Sequence, residues 1–209
     1  MGKVLGVDES GKGDFFGPLV IAGVLANSAE AEALVKAGVR DSKRVSDKKA
    51  LELSRWISTH FVHSIVTIGP EKYNQLYSRI RNLNKLLAWG HSRVIENIAE
   101  GNEIELVISD KFGRADFIEK ALLEKGRKLK VKQEVRAESI AQVAAASILA
   151  RAAFVQNMEK LSGLYGMEIP KGAGAPVDKA AAALIARYGK EALDKIAKVH
   201  FKNYLKAIG

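Results

Sequence analysis

The chain of 209 residues carries 33 Lys and Arg against 24 Asp and Glu, a formal charge of +9, with 47 % hydrophobic residues, four prolines and no cysteine. A chain of this length buries about 70 % of its extended surface on folding, which with that apolar content excludes disorder as a description of the whole. The missing thiols exclude disulfides, thiolate zinc sites and cysteine nucleophiles, while the positive field suits a polyanionic partner. The N-terminus has no signal-peptide pattern, and no apolar run approaches the ~18 residues of a membrane span. A soluble, cytoplasmic protein without membrane contact is expected.

Val4–Val7 and Leu19–Leu25 are predicted as strands, joined by a turn over residues 8–16 that is dense in glycine and charge. A short helix follows over Ala29–Ala37, and Ser46 caps another that runs to about Thr59. Residues 61–68 alternate as a strand, Pro70 opens a helix, and Leu83, Leu86, Leu87, Val94, Ile95 and Ile98 keep helical spacing between about Asn82 and Ala99. Ile104–Ile108 reads as a strand with Asp110 just past its end, followed by a helix over Arg114–Glu124 and a basic strand over Lys128–Val135. The longest predicted helix starts at Glu138 and runs to about Lys160, with small residues on one face. Beyond the Gly-rich segment Pro170–Pro176, helices fill Asp178–Tyr188 and Lys190–Ala207. Strands that come first as a hairpin and later alternate with helices predict an α/β fold. The expected organisation is a single domain over residues 1–209, a mixed β-sheet flanked by helices, with the helices of about 178–207 as a C-terminal appendage.

Asp8 and Glu9 stand side by side at a strand end before Gly11-Lys12-Gly13. Adjacent carboxylates repel and are costly to desolvate unless a cation lies between them, and such hard oxygen ligands suit Mg²⁺ or Mn²⁺. Asp110, at the end of another strand, and Glu138, at a helix start, are candidates to complete the cluster; the alternative readings are a turn residue and a helix-dipole partner. Gly6-x-x-x-x-Gly11-Lys12 also matches the first part of a P-loop, with Ile104–Asp110 as its acid-ended strand. Against that, Gly13 replaces the metal-binding hydroxyl, and Asp8 and Glu9 lie inside the loop meant to cradle phosphate. The basic groups Lys43-Arg44, Lys48-Lys49 and Lys125–Arg136 read either as a solvated edge or as a phosphate-tracking surface, Lys128, Lys130 and Lys132 falling on one strand face. The four histidines have no metal-binding spacing, and no nucleophile-elbow motif is present.

The run Asp8-Glu9-Ser10-Gly11-Lys12-Gly13-Asp14-Phe15-Phe16-Gly17-Pro18 resembles the type 2 ribonuclease H family, and within it ribonuclease HIII. The similarity continues through Asp41-Ser42-Lys43, Asn84–Ala88, Asp110, Ala137-Glu138-Ser139, Ala144–Arg151, Pro170–Ala173 and His200–Asn203, nearly the whole chain in family order. It implies a ribonuclease H-like fold and endonucleolytic cutting of the RNA strand of RNA–DNA hybrids. The family's acidic tetrad falls on Asp8, Glu9, Asp110 and Glu138. Glutamate in the fourth place and Gly11-Lys12-Gly13 favour ribonuclease HIII over HII. Ribonuclease HII has a tyrosine where this chain has Gly172-Ala173-Gly174, which weakens the alternative of cutting at single ribonucleotides in DNA. Ribonuclease HIII also carries an N-terminal substrate-binding domain, whereas seven residues precede Asp8 here. Hybrid affinity then comes from the basic surface, or the sequence is a truncation.

The mechanism consistent with these residues is in-line displacement assisted by two divalent ions, Mg²⁺ or Mn²⁺, with Asp8 as the bridging ligand and 5′-phosphate and 3′-hydroxyl products. Reading the RNA 2′-hydroxyl needs close approach, for which Gly11 and Gly13 leave space. Lys12, Lys43 and Ser147 are the further substrate-binding candidates. A monomer with no obligate protein partner is expected. A P-loop NTPase and a non-catalytic nucleic-acid-binding module are the alternatives from other classes.

Overall fold

The first apolar segment forms strand β1 (Val4–Ser10), which continues through Asp8 and Glu9 instead of turning at Asp8 as the sequence predicts. The computed structural model describes residues 2–40, 45–113 and 116–209. The continuous apolar run Leu19–Ala26 becomes β2 and is buried along its whole length, as a strand covered on both faces must be. With β3 (Val62–Ile68), β4 (Leu106–Asp110) and β5 (Val131–Glu134), the described residues form a mixed five-stranded sheet in the order β3-β2-β1-β4-β5. The β1–β4 and β4–β5 pairs are parallel.

Helix starts follow local chemistry. Asn27 and Glu30 form a capping box at α1 (Ser28–Lys36), Ser46 caps α2 (Asp47–His60), Pro70 opens α3 (Pro70–Ile80) and Asn82 caps α4 (Leu83–Ala99). Four later predictions are corrected, each through a contact distant in sequence. Helix α5 (Asp116–Ala121) ends before the predicted Glu124, because the Glu96 carboxylate accepts the N–H groups of Leu123, Lys125 and Gly126 and draws the chain into a 3₁₀ turn at Gly126–Lys128; the predicted start at Arg114 lies outside the described residues. The basic strand therefore starts at Val131, and of Lys128, Lys130 and Lys132 it carries Lys132 alone. Glu138 does not open the long helix: it lies in a separate 3₁₀ turn, Ala137–Ser139, before α6 (Ala141–Tyr165). The C-terminal segment yields α7 (Ala175–Tyr188), α8 (Lys190–Ile196) and α9 (Lys202–Ile208). The break after α8 arises where Ala197 bridges Phe16 and the Lys198 N–H donates to the Phe15 carbonyl.

Contact density divides the chain into two compact units, one of Met1–Glu9, Val20–Val66 and Asn82–Ala152, the other of Ser10–Leu19, Thr67–Arg81 and Ala153–Gly209. The first holds most of the sheet. Two glycines let helices lie directly on its strands. A Cβ at Gly6 would fall 2.3 Å from the Gln142–Val143 backbone of α6, and one at Gly23 would fall 2.6 Å from Val94 of α4. In the second unit Lys198 is wholly buried and its amine donates to the carbonyls of Asp14 and Gly17, each at 2.7 Å. Gly172 donates to the Asp14 carboxylate at 2.6 Å and accepts from the Phe15 N–H. Among the described residues no helix is long and apolar enough to cross a membrane.

Candidate active site

Successive side chains of a strand point to opposite faces, so the two adjacent acids of β1 enter different surroundings. Gly6 faces the backbone of α6, and two residues on Asp8 faces the same helix, where the Ser147 hydroxyl donates to its carboxylate. Asp8 also accepts the backbone N–H of Glu9 at 2.8 Å. Leu5 lies on the other face with Val94 and Ile98 of α4, near the place a Gly23 Cβ would take. On that face Glu9 meets His91 of α4, whose Nε2 lies 3.1 Å from Glu9 Oε2.

Register brings the third acid in. Val7 pairs with Ser109 across β1 and β4, and one further step along both strands aligns Asp8 with Asp110. Burial pushes the Asp8 carboxyl up to about 7; the negative charge of Glu9 adds to this and that of Asp110 adds less, while the bonds from Ser147 and the Glu9 N–H oppose it. Asp110 is the last residue of β4 rather than a residue beyond it, and its Oδ1 accepts the Ala137 N–H at 3.2 Å. That bond sets the 3₁₀ turn carrying Glu138 beside Asp110. Glu138 lines a cleft of about 430 Å³ with Arg40, Arg136 and Ser139 and an aliphatic wall that includes Val39 and Ala144. Among the described residues, no three His, Asp or Glu side chains converge closely enough to enclose an ion as they stand. A half-buried carboxyl made harder to ionise by desolvation and by neighbouring acids is nevertheless the donor set that a divalent cation fits, since the cation reverses both penalties.

The remaining sequence candidates divide. Gly11 has φ +85°, and a Cβ there would meet the Pro18 carbonyl at 2.2 Å, so glycine is demanded by the protein's own backbone. Gly13 has open space around it. Lys12 is half-buried. Ser147 is buried against Asp8, a partner of the acid rather than a surface group. Lys43 lies outside the described residues. Sequence reading missed His91, grouped there with the other histidines; the available signal was an imidazole on the apolar stripe of α4, between Leu87 and Ile95.

A family model described as Ribonuclease HII matches residues 5–204. The chain belongs to the ribonuclease HII family. Over 203 residues it is 47 % identical to the Ribonuclease HIII of Chlamydia pneumoniae, covering 96 % of this chain and 68 % of that protein. The Ribonuclease HIII of Chlamydia abortus is 44 % identical over the same length, with the same coverage. Among solved structures, the crystal structure of Bst-RNase HIII in complex with Mn²⁺ superposes with a TM-score of 0.91 at 33 % identity, covering 99 % of this chain and 69 % of that one. The RNase HII of the PCNA:RNase HII complex from Archaeoglobus fulgidus gives 0.76 at 27 % identity, over 89 % and 88 % of the two chains. The fold is that of ribonucleases H2 and H3, and the protein is a ribonuclease H-type endoribonuclease.

Proposed function

We propose that this ribonuclease H cuts the RNA strand of RNA–DNA hybrids, leaving 5′-phosphate and 3′-hydroxyl ends, with Asp8, Glu9, Asp110 and Glu138 holding two divalent ions. The observation that carries the reading is the register that aligns Asp8 with Asp110 on neighbouring parallel strands, Asp8 being half-buried and held by Ser147. Mg²⁺ or Mn²⁺ bound there would supply Lewis-acid activation of the attacking water and stabilisation of the leaving oxygen. The Mn²⁺ complex of Bst-RNase HIII supports that choice of ion.

The chain's own residues prepare the site. Ser147 and the Glu9 N–H fix the Asp8 carboxylate, and the Ala137 N–H fixes that of Asp110, so neither acid has to be ordered at the moment of reaction. The open space at Gly13 leaves backbone accessible to a ribose, where the 2′-hydroxyl distinguishes RNA from DNA. Lys12 and Lys43 are assigned to phosphate contacts. Two labelled duplexes test the reading, one with an uninterrupted RNA strand and one with a single ribonucleotide in DNA, each in Mg²⁺ and in Mn²⁺. Cleavage of the first alone is expected; efficient cutting of the second would assign single-ribonucleotide activity instead. Asp8→Asn is expected to lower the rate by at least ~10³-fold while hybrid binding persists, and turnover at the native rate would overturn the assignment of the acids.

A further inference from the structure

His91 is wholly buried, yet among the described residues only one of its ring nitrogens has a partner. It occupies the apolar stripe of α4, where Leu87, Val94, Ile95 and Ile98 are also buried. The Phe112 ring packs against it at 4.7 Å between centroids. Nε2 lies 3.1 Å from Glu9 Oε2, whereas Nδ1 has no hydrogen-bond partner among the described residues. A carboxylate only accepts, so Nε2 carries the proton and donates.

As a packing element this imidazole is a poor choice. An orphaned buried polar atom costs free energy, and an apolar side chain of similar volume would fill the same space without that cost. The compensating contact is the single bond to Glu9, an acid of the site, on the sheet face opposite Asp8. Glu9 has three side-chain torsions and a like-charged neighbour, so nothing in β1 alone fixes where its carboxylate points. One oxygen engaged by a donor from a rigid, fully packed helix restricts the direction in which the carboxylate points.

We infer that His91 is a positioning residue that holds the Glu9 carboxylate in its ion-binding orientation. This rests on the reading that Glu9 is an ion ligand, and the experiment separates the two ideas. Mn²⁺ affinity is measured calorimetrically for the native protein, Glu9→Gln, His91→Gln and His91→Met, with melting in EDTA recorded for each. Gln keeps an N–H near the position of Nε2, whereas Met has similar length and no donor. Removing an outer-sphere partner of a metal ligand lowers affinity by about 10–100-fold. His91→Met is therefore expected to weaken Mn²⁺ binding at least tenfold while melting in EDTA is unchanged or raised, and His91→Gln to stay within about threefold of native. Native-like affinity in His91→Met, or equal weakening in both His91 variants, would overturn the positioning role even if Glu9→Gln binds weakly. Native-like affinity in Glu9→Gln would remove Glu9 from the ion site, and the role of His91 with it.

Discussion

The Lys198 amine has two carbonyl acceptors, Asp14 and Gly17, and a neutral amine has two N–H donors to give them. Burial draws its pKa down to about 7 from 10.5, with the charge of Asp14 opposing. Between those values the unfolded chain holds a proton that the native state has released, so stability rises as pH climbs from 7 towards 10.5 and the gain is lost again as pH falls to 7. Lys198→Met leaves both carbonyls without a donor and removes the titration. It is expected to destabilise by about 2–4 kcal/mol at pH 9, because each unsatisfied buried group costs about 1–3 kcal/mol. The gap to the native protein should narrow at pH 6.5, by at most ~1.4 kcal/mol per pH unit. Urea melts at the two pH values check this; a gap that is constant, or wider at pH 6.5, would show that the buried amine stays charged. A lysine between Ala197 and Val199 reads in sequence as a surface cation, and only the chain segment 14–17 makes it a buried clamp.

At the scale of elements, the position of α6 on β1 decides whether Ser147 reaches Asp8. Gly6→Ala would place its methyl 2.3 Å from the α6 backbone, a contact no rotamer change relieves. The expected cost is about 3 kcal/mol, the upper part of the range for overpacking, with activity falling more than a stability loss of that size explains because α6 carries Ser147 away. Melting and single-turnover cleavage measured together separate the two effects. Boundaries set by neighbouring residues were legible before the structure: Ser46, Pro70 and Asn82 start their helices where expected, since each start depends on an interaction a few residues long. Asp110 was legible as a carboxylate at a strand end, whereas Asp8 lies within β1, and the alignment of the two follows from parallel register. The turn at Glu138, the short α5 and the role of His91 were not legible. They depend on Asp110 taking the Ala137 N–H, on Glu96 taking three backbone N–H groups, and on Glu9 reaching α4, contacts 27 to 82 residues apart.

At the scale of the whole molecule, a charge of +9 predicts hybrid binding that weakens with salt, but only cations not already engaged contribute strongly. Lys132 is held by Glu134 at 2.7 Å and Lys125 by Glu100 at 3.3 Å, so part of the basic run near β5 is neutralised within the chain. Arg40 and Arg136 differ: both line the cleft with Glu138, and among the described residues neither has an ion pair. Arg136 moreover keeps φ +59°, a left-handed conformation that costs a non-glycine residue about 1–2 kcal/mol. In an Asp8→Asn background, where binding is read without cleavage, each phosphate contact adds roughly 0.7–0.9 to the slope of log affinity against log salt. Replacing Arg40 and Arg136 together by Gln is expected to lower that slope by about two, while Lys132→Gln leaves it nearly unchanged. Fluorescence-anisotropy titrations of a labelled hybrid from 50 to 300 mM salt, on the order used to resolve such slopes, check the pair. Equal effects from the arginines and from Lys132 would mean that the hybrid meets the general positive field of the protein rather than the cleft beside Glu138.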